Sequence, residues 1–331
     1  HGGFDMTTVV VYSTNGYSQN MKQRSPHRVG LTYALSAYAV WGLFPLYFMA
    51  LMPANPFEVV SFRVIFSLAF SAILVTITRS WSRLWAVIRN RRTFLLLGVA
   101  GILIFINWEI FILAVYQNKV IETSLGYFIN PLITVALGVT VYRERLRLLQ
   151  WMAVGLGFAA VVVLTFAYGQ LPWIALTLAF SFGLYGFVKK RLGSRVGAVV
   201  GLAVETTWVI PIAIIQLIVV ASFGGLSAFS LGPTHAILIV ASGAMTAIPL
   251  MLFASGTKRI PLTWIGLIQY FTPLSSFMLG IFVFHEQMSS SRWVGFMIIW
   301  LALVFLTVDI FRSTRRGRSR STEAEATAIG G

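Results

Sequence analysis

The chain has 331 residues, of which 57% are hydrophobic and only 11% charged, with a mean hydropathy of +0.82. A soluble globular chain carries about 25% charged residues, so a water-soluble fold is excluded. Cysteine is absent, which removes disulfides and thiolate metal sites. The net charge of +15 does not point to a nucleic-acid partner, because the basic residues sit in short breaks between apolar runs rather than along one polar face.

The N-terminal segment, residues 1–27, reads as a disordered tail. Met21-Lys22-Gln23-Arg24 has the composition of a natural bacterial start, so residues 1–20 are expected to lie outside the natural protein. No cleavable signal peptide is expected, because the first apolar run is long enough to span and has no small-residue cleavage site behind it.

A membrane-spanning helix needs about 20 mostly apolar residues. Such runs fall near 29–52, 56–78, 93–116, 120–142, 149–168, 172–190, 197–222, 234–256, 260–284 and 292–311, which predicts ten spans. Breaks such as Pro53-Ala54-Asn55-Pro56, Gln117-Asn118-Lys119 and Phe223-Gly224-Gly225 separate them.

Lysine and arginine accumulate in cytoplasmic loops. With ten spans and a cytoplasmic N-terminus, nearly all of them fall inside, for example Arg79 to Arg92, Arg143 to Arg147, Lys189 to Arg195 and Arg312 to Arg320. Only Lys119 and Arg292 fall outside, and Arg63 lies within a span. Both termini are therefore expected in the cytoplasm. The Trp81 to Arg91 loop reads as an interfacial segment on anionic lipid, and residues 313–331 as a basic, then acidic, cytoplasmic tail.

The chain repeats itself. Asn130-Pro131-Leu132, Leu137-Gly138, Tyr142-Arg143-Glu144 and Trp151 recur 142 residues later as Thr272-Pro273-Leu274, Leu279-Gly280, Phe284-His285-Glu286 and Trp293. Ala34-Leu35-Ser36 and Gly42-Leu43-Phe44 recur as Ala175-Leu176-Thr177 and Gly183-Leu184-Tyr185 at an offset of 141. The predicted units are 28–169 and 170–312, with five spans each. An odd number of spans forces the second unit into the membrane upside down, an arrangement characteristic of secondary transporters.

These segments resemble the EamA branch of the drug/metabolite transporter superfamily, and within it the RarD family, named for chloramphenicol sensitivity. The resemblance rests on Tyr38 to Gly42 (YAVWG), Asn107-Trp108, Ser124 to Leu132 (SLGYFINPL), Ala179 to Gly186 (AFSFGLYG), Glu205-Thr206 and Gln269-Tyr270, and covers residues 28 to 312. It implies an all-α, ten-span fold in the bacterial inner membrane, with a translocation cavity lined mainly by spans 1, 3, 4, 6, 8 and 9. Glu109 departs from the pattern, since relatives look apolar there.

Pro131 and Pro273 occupy matching positions deep in spans 4 and 9. Each denies a hydrogen bond to the carbonyl four residues earlier, Tyr127 or Gln269, and interrupted helices at matching positions of two repeats point to a transporter site. Glu122, Gly126 and Asn130 share one face of span 4, Gln269, Thr272 and Ser276 one face of span 9, and Tyr38, Trp41 and Pro45 a stripe on span 1. The substrate-binding set expected from these patterns and from the resemblance is Tyr38, Trp41, Asn107, Tyr127, Asn130, Tyr185, Gln269 and Tyr270, with packing alone as the competing reading.

Ionisable groups within a bilayer are costly and are paired or functional. Arg63 and Glu109 each lie about 10 Å below the outer ends of their spans, and Glu205 about 12 Å above the inner end of its own. Arg63 is expected to pair with Glu109 or Glu205. His285-Glu286 lacks a third metal ligand, so no metal or cofactor is expected. The inverted repeat and the resemblance imply a secondary transporter of a small organic solute or metabolite, an amphiphilic drug among the candidates, with a proton as coupling ion and lipids as neighbours. A channel, an accessory membrane protein or a membrane-embedded enzyme are the alternatives. The enzyme has no metal motif, cysteine or nucleophile with a base to stand on, and no phosphate-binding loop offers direct drive by ATP. The oligomeric state is not encoded in any of these patterns.

Overall fold

A computed structural model describes residues 26–143, 146–192, 196–257, 259–260, 264–265 and 268–329. The expected N-terminal tail up to residue 25, and Glu144, therefore lie outside the described residues, as do the side chains beyond Arg312. The described residues form helices and no strand.

The first apolar run divides into α1 (Pro26–Gly42) and α2 (Phe44–Met49). Pro45, in the first turn of α2, has no N–H to return to the Trp41 carbonyl, so the helix restarts there. α3 (Pro56–Ile77) opens on Asn55, whose side chain accepts from the Phe57 N–H at 3.0 Å, with Pro56 at the first helical position. α4 (Trp81–Arg89) is short and buries none of its residues. α5 (Arg91–Tyr116) opens on Asn90, which caps the Thr93 N–H at 3.0 Å. There follow α6 (Val120–Tyr142), α7 (Leu148–Tyr168), α8 (Trp173–Leu192), α9 (Ala198–Gly224), α10 (Pro233–Thr257), α11 (Phe271–Phe282) and α12 (Ser290–Ile329). Gly169, at φ +68°, closes α7 in the left-handed conformation that glycine adopts without strain.

Eight helices among the described residues are long and apolar enough to cross a membrane: Arg28–Met49, Pro56–Ile77, Arg91–Tyr116, Val120–Val141, Leu148–Tyr168, Ala198–Gly224, Pro233–Thr257 and Ser290–Asp309. The sequence predicts ten. The remaining two expected positions hold α8, whose last turn carries Lys189, Lys190 and Arg191, and α11, which is 12 residues long.

The outer surface suits hydrocarbon, with Phe166, Phe158, Ile215 and Ile237 all more than half exposed. Lipid tails are as apolar as these side chains, so close packing rather than hydrophobic burial holds such helices together. α1 packs on α10 and α11, α8 on α5 and α6, α3 on α9 and α10, α5 on α9, α6 on α11, and α7 on α12. One buried cluster gathers Phe48, Val64, Trp108, Ile112, Leu178 and Val209 at the centre, and a second gathers Leu125, Leu164, Phe277, Phe296 and Ile299 around α6, α7, α11 and α12. Small residues set the closest approaches: a methyl group on Gly101 would lie 2.6 Å from the Glu205 carbonyl oxygen, and one on Gly243 would overlap the Phe66 carbonyl.

Candidate substrate site

The polar side chains of the spans collect in the central cluster. Asn107 of α5 is 2% exposed. Its amide nitrogen donates to the Leu178 carbonyl at 3.2 Å and the Ser181 hydroxyl at 3.1 Å, both on α8, and its oxygen accepts from the Tyr127 hydroxyl at 3.0 Å. This amide joins α5, α6 and α8. Phe182 lies edge-on to Tyr127, with ring centres 5.8 Å apart, and next to Tyr185 at 6.0 Å. On the same side of α6, the buried side-chain oxygen of Asn130 has no hydrogen-bond partner. A buried polar atom left open in this way is costly unless something visits it.

Tyr185 continues the layer to the second carboxylate. Its hydroxyl donates to Glu205 at 3.2 Å, and the Lys189 ammonium reaches the other Glu205 oxygen at 2.6 Å. Glu205 is 1% exposed, so the bond draws Lys189 back along the apolar stem of its own side chain from the end of α8.

Neither expected partner reaches Arg63, which corrects the sequence reading. Its Nε donates to the Thr246 hydroxyl at 3.0 Å, and its guanidinium lies over Trp108, Phe48 and Phe44, with the carbon 4.2, 5.1 and 5.4 Å from the ring centres. Glu205 is taken by Lys189, and Glu109 accepts from the Gln216 amide at 2.7 Å with its second oxygen unpartnered. Depth along a span does not fix rotation about it, and rotation decides which groups meet.

Tyr38 and Trp41 form a separate aromatic group with Phe253 of α10, with ring centres 5.2 to 5.7 Å apart. The Thr272 hydroxyl donates to the Tyr38 carbonyl at 3.0 Å. Gln269 lies half-buried in the turn before α11. Its neighbour Tyr270 points elsewhere, lining a groove of about 270 Å³ with Trp300, Leu303 and Val304 of α12, away from the Asn107 group.

The two prolines differ. α6 runs unbroken through Pro131 to Tyr142, so no helix break occurs there. Pro273 sits in the first turn of α11, where an absent N–H costs nothing, and its carbonyl accepts from Ser124 of α6 at 2.8 Å. The interruption expected in both repeats is visible only before α11.

A second polar basin of about 290 Å³ lies at the other end of α6, lined by Asn118, Lys119, Glu122, Tyr168, Glu286 and Arg292 among others. Glu286 accepts from the Val120 and Ile121 N–H groups, capping the N-terminus of α6. Burial pushes its carboxyl up to about 7, against the pull of these two bonds. This function of Glu286 escaped the sequence reading, which took the residue only as the end of a span, as did Lys189, Thr246, Ser181 and Phe253.

A buried layer of amide, phenol and ion pair lies inside a bundle of apolar spans, and comparison with known proteins places that bundle among membrane transporters. The model of the EamA-like transporter family matches residues 28–166 and again 172–308. The RarD protein of Streptomyces exfoliatus is 42% identical over 309 residues, covering 93% of this chain and 98% of that protein. YojE of Bacillus subtilis, described as an uncharacterized transporter, is 39% identical, covering 90% and 99%. Escherichia coli RarD is 38% identical, covering 87% and 97%. A solved crystal structure shares the fold with a TM-score of 0.56 at 19% identity, covering 85% of this chain and 98% of its own. The chain belongs to the RarD family of EamA-like transporters.

Proposed function

We propose that the protein is a secondary transporter that carries a small organic solute across the bacterial inner membrane by alternating access, as two inverted five-span halves rock against each other. The supporting observation is that the helix contacts map onto themselves when the halves are exchanged. Exchanging α1 with α8, α3 with α9, α5 with α10, α6 with α11 and α7 with α12 converts the α6–α8 pairing into α11–α1, α5–α8 into α10–α1, and α3–α10 into α9–α5. The close approaches follow the same exchange. Gly42 of α1 meets Ser275 of α11 as Gly183 of α8 meets Ile133 of α6, and Gly101 meets α9 as Gly243 meets α3. Two bodies related in this way have two equivalent relative positions, which is what alternating access requires.

In this reading Asn107, Tyr127, Asn130, Tyr185 and Gln269 contact the solute, with Tyr38 and Trp41 as an aromatic wall, and both termini are cytoplasmic. Glu205 couples transport to protons by exchanging its Lys189 partner for a proton as the halves move. Glu109, with one free oxygen, is the competing carboxylate. A thermal-shift screen of amino acids, metabolites and drugs supplies a stabilising solute. In proteoliposomes the wild type should then accumulate that solute saturably under an imposed pH gradient. Glu205→Gln should fall to the level seen without a gradient while exchange of solute for solute survives. Non-saturable flux in the wild type would indicate a channel, and gradient-driven uptake by Glu205→Gln would remove the coupling role.

A further inference from the structure

Arg63 is buried, at 3% exposure, in the middle of α3, bonded to the Thr246 hydroxyl and lying over three aromatic rings, with the phenols of Tyr47 and Tyr127 near enough to act on its charge. A guanidinium has five N–H donors, and Thr246 engages one of them. Ring faces attract the cation without accepting a conventional hydrogen bond from it. The acidic groups on the elements packed around α3 are committed elsewhere. Glu109 of α5 is bonded to Gln216, Glu205 of α9 to Lys189 and Tyr185, and Glu58 of α3 itself to the Ser227 and Ala228 N–H groups and the Ser227 hydroxyl. α1, α2 and α10 carry no acidic residue. Arg63 belongs to neither the Arg147–Asp309 nor the Lys189–Glu205 ion pair.

Position 63 is equivalent to position 205 at the repeat offset, and there the buried charge is matched by a cation and a phenol. At Arg63 the described residues supply no carboxylate. An ionisable group within a bilayer is paired or marks a substrate path, and with no carboxylate of the described residues on Arg63, a counter-charge brought by a ligand fits the second case. We propose that Arg63 is the seat of a carboxylate on the transported solute, a monocarboxylate with an apolar body; this rests on the transporter reading above. The planar guanidinium fork matches a carboxylate. One cation balances one negative charge, whereas a phosphate ester brings nearly two. The Phe44, Phe48 and Trp108 rings favour an apolar body over a hydrated inorganic ion.

The test uses purified full-length protein and matched pairs of probes: phenylacetate with phenylacetamide, hexanoate with hexanamide, and indole-3-acetate with indole-3-acetamide. Thermal-shift titration of the wild type should show at least one acid binding about tenfold or more tightly than its amide, as a charge-assisted bond requires. Arg63→Gln should lose that preference and Arg63→Lys should keep part of it. If Arg63→Gln does not fold, the acid-to-amide ratio in the wild type decides alone. Equal binding of acid and amide, no stabilisation by any of the three acids, or an undiminished acid preference in folded Arg63→Gln would overturn the assignment. Gradient-driven uptake of a neutral solute without acid preference would remove the carboxylate seat and keep the transporter. Acid binding without transport would do the reverse.

Discussion

Arg63 and Glu205 stand at equivalent positions of the two halves and live in opposite circumstances. Both are buried, and both sit on helices that face a close glycine contact from across the bundle, Gly243 against α3 and Gly101 against α9. Glu205 is neutralised from within by Lys189 and Tyr185, whereas Arg63 is wrapped in aromatic rings and one hydroxyl. The two positions share their packing and differ in their chemistry. The backbone framework tolerates little change because helices approach to contact distance, while the side chains between them are free to take different roles.

The comparison breaks most sharply at Lys189. Removing one partner of a buried ion pair leaves a stranded charge and costs about 3–5 kcal/mol. Lys189→Met should therefore unfold at a markedly lower temperature, and Lys189→Met combined with Glu205→Gln should recover most of the loss. No recovery would mean that Lys189 acts through something other than Glu205. A smaller effect tests the shared framework. Gly101→Ala and Gly243→Ala should each cost about 1–3 kcal/mol by overpacking, and similar losses in the two would sharpen the equivalence of the halves. A large loss in one and none in the other would break it.

The smallest effect concerns the ends of the halves rather than their centre. Glu286 titrates near 7, above its ordinary value of 4.5, because it is buried. Its stabilising contribution is full below about 4.5 and is lost as pH rises through 7. The melting temperature of the wild type relative to Glu286→Gln should thus fall by on the order of 2 °C between pH 5 and pH 8. A difference independent of pH would show that the carboxyl does not titrate in this range.

Much of this was legible in the sequence. Eight of the ten expected span positions hold helices long and apolar enough to cross a membrane, and they follow from the length of apolar runs as the repeat follows from the offset of 142, because both are properties of the linear pattern. The intramembrane charges Arg63, Glu109 and Glu205 were visible for the same reason. Their partners were not. Lys189 looked like a loop cation because three basic residues stand together at the end of α8, and only its long stem and the rotation of α8 bring it to Glu205. Gln269 and Tyr270 were grouped through the resemblance, yet successive side chains point in different directions, and Tyr270 faces α12. Pro131 was read as a break, but a helix deep in a bundle can keep its course through a proline when neighbouring contacts hold it.

The pairing of α7 with α12 carries a consequence for biogenesis. α7 buries Ala153, Gly157, Ala160 and Leu164 in a face that receives Phe296, Ile299 and Leu303, and Arg147 and Gln150 before and within its first turn bond Asp309. α7 is complete at Tyr168, and its main partner begins only at Ser290. At ribosomal rates that gap lasts on the order of ten seconds. Throughout it, the face of α7 must be met by lipid or by the insertion machinery, so the first half of the chain is finished by a helix made more than a hundred residues later.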